Sequence, residues 1–355
     1  MRIGPVPLRS PFVVSPMAGM TDTAFRRLVK RQGGCGLVVS EMVSSEGLVR
    51  GIDRTLEYAE YTEEERPVSI QIFGGDPDRM AEAARVVEGM GADIVDVNMG
   101  CPVPKIARHN AGCSLMREPA HAATIIGAMV KAVRIPVTVK MRKGWDESEL
   151  SAPEVARRVE DAGAAAIAIH GRTAKQSYSG QADWDFVAGV AQSVRIPVFG
   201  SGDCIEPEQV VERLRAGVSG VFVGRGVLRN PWILAQAQDL LEGRAARAVS
   251  AEARGRFLLD YMQLLLDERA AEADGFRHVA PGQAPATAVP ARGRERWVIN
   301  KLRALCAWYT KGTEGGSQMR TAVNAAESVQ QLRELIEASF LTGARPAHLP
   351  DLVTR

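Results

Sequence analysis

Through the first two thirds of the chain, short apolar runs alternate with longer amphipathic stretches. Three segments align without gaps: Gly91-Ala-Asp-Ile-Val-Asp-Val-Asn98, Gly163-Ala-Ala-Ala-Ile-Ala-Ile-His170 and Gly217-Val-Ser-Gly-Val-Phe-Val-Gly224. Each follows a charge-rich, helix-like stretch, opens with glycine and becomes an apolar run too short for a helix. Val133-Arg-Ile-Pro-Val137 recurs as Val194-Arg-Ile-Pro-Val198. Helix, glycine, short buried strand is the pattern of a parallel sheet covered on both faces.

Eight strands are predicted, near Val13–Pro16, Leu37–Ser40, Val68–Ile72, Ile94–Asn98, Val137–Met141, Ala166–His170, Val198–Gly200 and Val221–Gly224. Amphipathic helices separate most of them, as over Arg79–Met90 and Pro153–Ala162. That many β-α steps predict an α/β fold of the (β/α)8 TIM barrel type. A doubly wound sheet is the alternative, and a dinucleotide-binding fingerprint would favour it. Gly200-Ser-Gly202 lacks the third glycine, and no GxxxxGK[ST] is present.

After about Asn230 the strand pattern stops. Residues 251–272, 294–311 and 319–342 carry helical periodicity, and the Pro- and Ala-rich stretch 279–291 is expected to be a mobile loop. The expected organisation is a catalytic barrel over 1–244 and a small C-terminal all-helical domain over 245–355, with 278–292 flexible.

Composition narrows the class. With 46% hydrophobic and 24% charged residues among 355, the chain is globular, neither disordered nor fibrous. The net charge is only +2, so contact with a nucleic acid must come from local clustering. Cys35, Cys101, Cys113, Cys204 and Cys306 are odd in number and widely spaced, which suits neither a disulfide framework nor a zinc site. Prolines interrupt any signal-peptide pattern near the N-terminus, and no apolar run approaches the roughly 20 residues of a membrane span. A cytoplasmic protein with no metal and no membrane contact, acting as a monomer, is the expectation.

Barrel enzymes work at the carboxyl ends of their strands. The polar residues that end the apolar runs are Gln71, Asn98, Lys140 and His170, which predicts a ring of side chains around one mouth. The last two strands end in Gly200-Ser-Gly-Asp203 and Gly224-Arg-Gly226, where barrels commonly hold phosphate on backbone N–H groups. Such glycines also serve plain turns. Lys140 suits an anionic ring, a Schiff base or a salt bridge. Cys101 lies in Asn98-Met-Gly-Cys-Pro102, just past the fourth strand. A free thiol keeps its proton at neutral pH, which suits a proton donor. A nucleophile would want a base such as His170 or His109, and a buried structural thiol is the third possibility. Between 291 and 320, Arg292, Arg294, Arg296, Lys301, Arg303, Lys311 and Arg320 are interleaved with Trp297, Trp308 and Tyr309. That mixture suits RNA phosphates and splayed bases, and equally a solvated helix face with its aromatics in the core.

Taken in order, Pro16-Met-Ala-Gly-Met-Thr-Asp22, Gln71-Ile-Phe-Gly74, Asn98-Met-Gly-Cys-Pro102, Lys140-Met-Arg142, His170-Gly-Arg-Thr173 and Gly224-Arg225 resemble the bacterial tRNA-dihydrouridine synthases, in their NifR3-like branch. The resemblance implies an FMN-binding barrel that uses NADPH (or NADH) to reduce uridines in tRNA. It implies that Pro16, Met17 and Ala18 line the flavin, that Gln71, Lys140 and His170 contact it, and that Ser201, Gly202, Asp203, Gly224 and Arg225 hold its phosphate. It makes Cys101 the proton donor, with Asn98, Lys105, Arg142 and Arg172 as contacts to the uridine and its backbone. Where relatives often carry other residues, this chain has Ser201, Ala174, Ala304 and Leu305. Two further readings compete. One is an FMN barrel acting on a small substrate, of dihydroorotate or enoate type, against which the helical region and its basic cluster speak. The other is an RNA-binding protein without catalysis, against which Cys101, Lys140 and Gln71 speak.

Overall fold

In the computed structural model the described residues are 1–107, 110–267, 276–277, 291–313 and 315–342. The eight predicted strands form: β1 (Phe12–Val14), β2 (Leu37–Val39), β3 (Val68–Phe73), β4 (Ile94–Met99), β5 (Val137–Arg142), β6 (Ala166–His170), β7 (Val198–Ser201) and β8 (Gly220–Val223). They pair in parallel in the order β2-β1-β8-β7-β6-β5-β4-β3, and β2 also pairs with β3, which closes the ring. The two-residue strand Val43–Ser44 extends the β3 edge.

Helices α1 (Thr23–Gln32), α2 (Ser45–Val49), α3 (Pro77–Gly89), α4 (Pro119–Ala132), α5 (Ala152–Asp161), α6 (Trp184–Gln192), α7 (Pro207–Arg215) and α8 (Ile233–Leu241) surround the ring. Their starts are written locally. The side chains of Asp22, Asp76 and Asp183 accept hydrogen bonds from Phe25 N, Arg79 N and Phe186 N at the first turns of α1, α3 and α6. Proline stands in the first turn of α3, α4, α5 and α7.

Strand alternation divides the apolar residues into two cores. Outward residues such as Val95, Val97, Val139 and Ile169 pack under the helices. Inward residues Val13, Leu37, Val39, Ile94, Ala166, Ala168, Phe199 and Phe222 fill the lower barrel. Ala166 and Ala168 leave room for the Phe199 and Phe222 rings, which meet edge to face at 5.5 Å. An N-terminal hairpin, Arg2–Ile3 against Val6–Pro7, sets Ile3 and Leu8 into the same cluster and plugs the barrel floor. Above this layer the inward positions turn polar.

The C-terminal helices are α9 (Ala251–Asp267), α10 (Ala291–Tyr309), α11 (Gly316–Ala325) and α12 (Val329–Ile336). They share the outer core of the barrel. Phe257 and Tyr261 of α9 meet Phe25 of α1 edge to face at 6.1 and 6.2 Å, and Phe257 stacks on Tyr309 at 5.8 Å. The single helix expected over 319–342 is broken. Ala326 is extended and the Ser328 side chain caps α12. The following turn, Glu337–Thr342, is a π-helix. The expected mobile stretch 278–292 lies outside the described residues up to 290, and α10 begins at Ala291, three residues before the predicted start. No helix among the described residues is long and apolar enough to cross a membrane.

Candidate active site

A cavity of about 580 Å³ opens at the carboxyl ends of the strands. That is the size of a typical cofactor pocket. Pro16, Met17, Ala18, Gln71, Asn98, Cys101, Lys140, Arg142, His170, Ser201, Gly202, Asp203, Gly224 and Arg225 all line it. The strand-end ring expected from the sequence is therefore one wall-to-wall surface. Two candidates stand apart. Arg172 is buried beneath the wall and does not line the cavity. Lys105 lies on a short helix, Pro104–Ala107, and its side chain is outside the described structure, as is His109.

The cysteine loop is held by a directed chain of hydrogen bonds. The backbone N–H groups of Gly100 and Cys101 donate to Asn98 Oδ1 at 3.1 and 2.9 Å. Asn98 Nδ2 then donates to Gln71 Oε1 at 2.8 Å, and Gln71 Nε2 donates to Asp96 Oδ2 at 2.7 Å. Thr138 Oγ1 donates to the other Asp96 oxygen at 2.6 Å. Backbone donors at one end and a carboxylate at the other leave both amides one orientation. On its far side the loop is fastened by Cys113 N, which donates to Cys101 O at 3.1 Å, and by Arg142 Nε, which donates to Gly100 O at 2.9 Å. Arg142 Nη1 also donates to Thr173 O and Ser177 O, each at 2.9 Å. It thereby ties the cysteine loop to the loop after β6. Cys101 itself is half-buried on the cavity wall, whereas Cys113 is buried, which pushes its thiol up to about 11.

Lys140 and His170 face the same space. Among the described residues Lys140 makes no hydrogen bond or ion pair, and its pKa is lowered to about 8 by burial and by Arg142, with Asp96 opposing. His170 Nδ1 is buried with no partner among the described residues. Burial, then Lys140, Arg142, Arg172 and Arg225, push that imidazole down to about 2, so it is neutral at physiological pH.

The two glycine loops differ in what they offer. Gly202 has φ +127°, and a β-carbon there would collide with Ala182 Cβ; a β-carbon on Gly200 would run into the Trp184 ring. Trp184 Nε1 donates to Gly202 O at 3.0 Å and fixes the turn. Only glycine allows this close approach. The Asp203 carboxylate is engaged inside the protein. It accepts both bonds from Arg172 Nη2 at 2.8 Å and one from Ala182 N at 2.7 Å, and Arg225 Nη2 stands 3.5 Å away. Arg172 also donates to Ser179 O and Gly180 O. It shapes the 176–182 loop and holds Asp203, while its Nη1 is buried with no hydrogen-bond partner among the described residues.

Two cavity residues carried no role in the sequence reading, or a different one. Tyr178 on that loop is 59% exposed, with the Arg225 guanidinium 4.7 Å and the Arg142 guanidinium 5.9 Å from its ring. Its isolation in a polar loop gave no periodic signal. Trp308, read as part of the basic, aromatic cluster, is the contribution of the helical region to the cavity wall among the described residues. The cluster itself is mostly structural. Lys301 bonds Gly19 O at 2.9 Å and Asp22 at 3.0 Å. Arg303 bonds Val323 O and Ala326 O at the end of α11, and Arg320 bonds Thr310 O. Arg296 and Lys311 remain exposed, Lys311 lying over the Trp308 ring at 5.6 Å.

A family model described as "Dihydrouridine synthase (Dus)" matches residues 13–344. A probable tRNA-dihydrouridine synthase of Rickettsia conorii is 36% identical over 345 residues, 96% of each chain. The tRNA-dihydrouridine synthase B of Xanthomonas campestris is 36% identical over 330 residues, 92% of each chain. A probable tRNA-dihydrouridine synthase of Rhodobacter capsulatus is 47% identical over 241 residues, 67% of this chain and 74% of the relative. Among solved structures, histamine dehydrogenase from Rhizobium sp. 4-9 shares the fold with a TM-score of 0.51 at 15% identity, over 74% of this chain and 50% of that one. The profile spans barrel, cysteine loop and C-terminal helices alike, and the chain belongs to the dihydrouridine synthase family of oxidoreductases.

Proposed function

We propose that this protein is an FMN-dependent tRNA-dihydrouridine synthase, with NADPH or NADH as electron donor. One observation carries the reading. Lys140 and His170 Nδ1, two polar groups with no hydrogen-bond partner among the described residues, share a cofactor-sized cavity with a cysteine whose loop is fastened on both sides.

The residues fit a flavin mononucleotide. Gln71, Lys140 and His170 offer donors and an acceptor to its ring edge, and Pro16, Met17 and Ala18 offer an apolar face. The backbone around Gly202 and Gly224, with the Arg225 guanidinium, suits its phosphate; Asp203 serves by holding Arg225 and the Arg172-bound loop. Bound there, the flavin would supply hydride transfer, taking hydride from the nicotinamide and passing it to C6 of a uracil. Lys140 would stabilise negative charge in a low-dielectric mouth. Cys101 would give its proton to C5 and recover one from solvent, so that uracil gains one hydride and one proton. Asn98 and Arg142 hold the loop that presents this thiol. A uridine reaching that depth must leave the tRNA stack. Trp308, with the exposed Lys311 over its ring, offers the flanking RNA a stacking and charged surface.

The test is direct. The purified protein should be yellow, release FMN on denaturation and form dihydrouridine in tRNA lacking it when given NADPH. Colourless protein that takes up no added FMN would remove the reading.

A further inference from the structure

Asp96 is a buried carboxylate in the barrel interior that the reaction as outlined leaves unused. Strand register pairs Asp96 with Thr138 and Asn98 with Lys140 on the adjacent strands β4 and β5. Side chains two apart on a strand share a face, so Asp96 and Lys140 both point inward, one step apart. Thr138 and Gln71 each donate to one Asp96 oxygen, which fixes the carboxylate in place.

The other charged groups around Lys140 are cationic or already engaged. Arg142 is on the same strand, and Arg172 and Arg225 stand beyond His170, which is neutral. The Asp203 carboxylate is taken by Arg172 and Arg225. Glu41 and Asp22 are taken by Lys301. Cys101 is an uncharged thiol in the proposed reaction. Asp96 is the carboxylate left to balance Lys140 among the described residues.

We propose that Asp96 is a positioning residue for the flavin site, acting from inside the barrel as the counter-charge that keeps the Lys140 ammonium protonated at the mouth. The proposal rests on the flavin reading above for its purpose, and on the interior geometry alone for the coupling. Burial raises Asp96 to about 6 against its two donors and Lys140, and the same pair opposes the burial of Lys140, which sits at about 8. At neutral pH the carboxylate is therefore ionised and the amine charged. Removing either charge raises the cost of the other.

Two measurements test this. The first is FMN affinity of the full-length apoprotein across pH 6–10, read by quenching of flavin fluorescence. Wild type should lose affinity as pH rises through about 8. In Asp96→Asn that midpoint should fall by about one and a half pH units, from a diagonal cross-strand charge pair roughly 7 to 8 Å apart at an effective dielectric near 20. Asparagine can still accept from Gln71 and donate to Thr138, so the relay to Cys101 survives. Thr138→Val, which disturbs the same pocket but keeps the carboxylate, should leave the midpoint in place. Coincident curves for wild type and Asp96→Asn overturn the proposal, as does an equal shift in Thr138→Val.

The second measurement needs no flavin and no stable Asp96 variant. The Asp96 carboxyl carbon, followed by NMR, should titrate at higher pH in Lys140→Met than in wild type. An unchanged Asp96 midpoint overturns the coupling. Wild type that binds no FMN at any pH sinks the flavin reading, while this second measurement still decides the pair.

Discussion

The Lys301 ammonium lies 3.0 Å from the Asp22 carboxylate and joins α10 to the N-cap of α1. The same ammonium bonds Gly19 O at 2.9 Å, and Glu41, 3.7 Å away, accepts from Gly19 N at 2.6 Å. Tyr261 OH donates to the same Asp22 at 2.8 Å. The loop after β1, which carries Met17 and Ala18 into the cavity, is thereby clasped by the helical region.

Lys301→Ala should therefore damage the barrel mouth as well as the helices. Both charged side chains are only 12% exposed, so the loss should approach the roughly 3–5 kcal/mol of a broken buried pair. Differential scanning calorimetry should show a melting point lower by several degrees. FMN affinity should fall with it, and an unchanged melting point would contradict the clasp.

Lys311→Ala and Arg296→Ala should behave oppositely, because both side chains are exposed and neither makes a hydrogen bond or ion pair among the described residues. Together they should leave the melting point unchanged, weaken tRNA binding and reduce the slope of affinity against salt. Arg303→Ala should chiefly destabilise, since it removes donors to two carbonyls at the end of α11.

Cys101→Ala should keep bound flavin and tRNA affinity and lower dihydrouridine formation by about 100- to 10,000-fold, the range for loss of a general acid. Reduction of the enzyme by NADPH should be untouched, which single-turnover absorbance would show. Wild-type turnover in this variant would take the proton-donor role from Cys101.

The lowered Lys140 pKa fixes the sign of a pH effect. Between about 8 and its ordinary value near 10.5, the unfolded chain holds this proton more often than the folded one. Stability contributed by this group is therefore lowest below about 8 and recovers as pH rises through that window. The melting point of the apoprotein should therefore gain from a rise in pH between about 8 and 10 in wild type but not in Lys140→Met, which should also bind flavin more weakly. Equal pH dependence in the two proteins would remove this role from Lys140.

The positions of the strands, and the residues ending them, were legible because buried parallel strands leave unbroken apolar runs that stop at a polar side chain. Asn98, Lys140 and His170 stood out for that reason. Arg172 did not reveal its burial, because Asp203, which neutralises it, comes from another loop 31 residues on. Lys301 and Arg303 looked like surface charge because charge on a helix is usually solvated, and their partners, Asp22 and the end of α11, are distant in sequence or made by the fold. The break at Ala326 was hidden by apolar spacing that runs on through it.

Ile3 and Leu8 close the lower end of the barrel, and the Phe199 and Phe222 rings fill the space above them. Nothing can pass through. In the proposed reaction the nicotinamide and the nucleobase must share one doorway and take turns at it. Steady-state rates should then give parallel double-reciprocal lines, and each reactant in excess should crowd out the other.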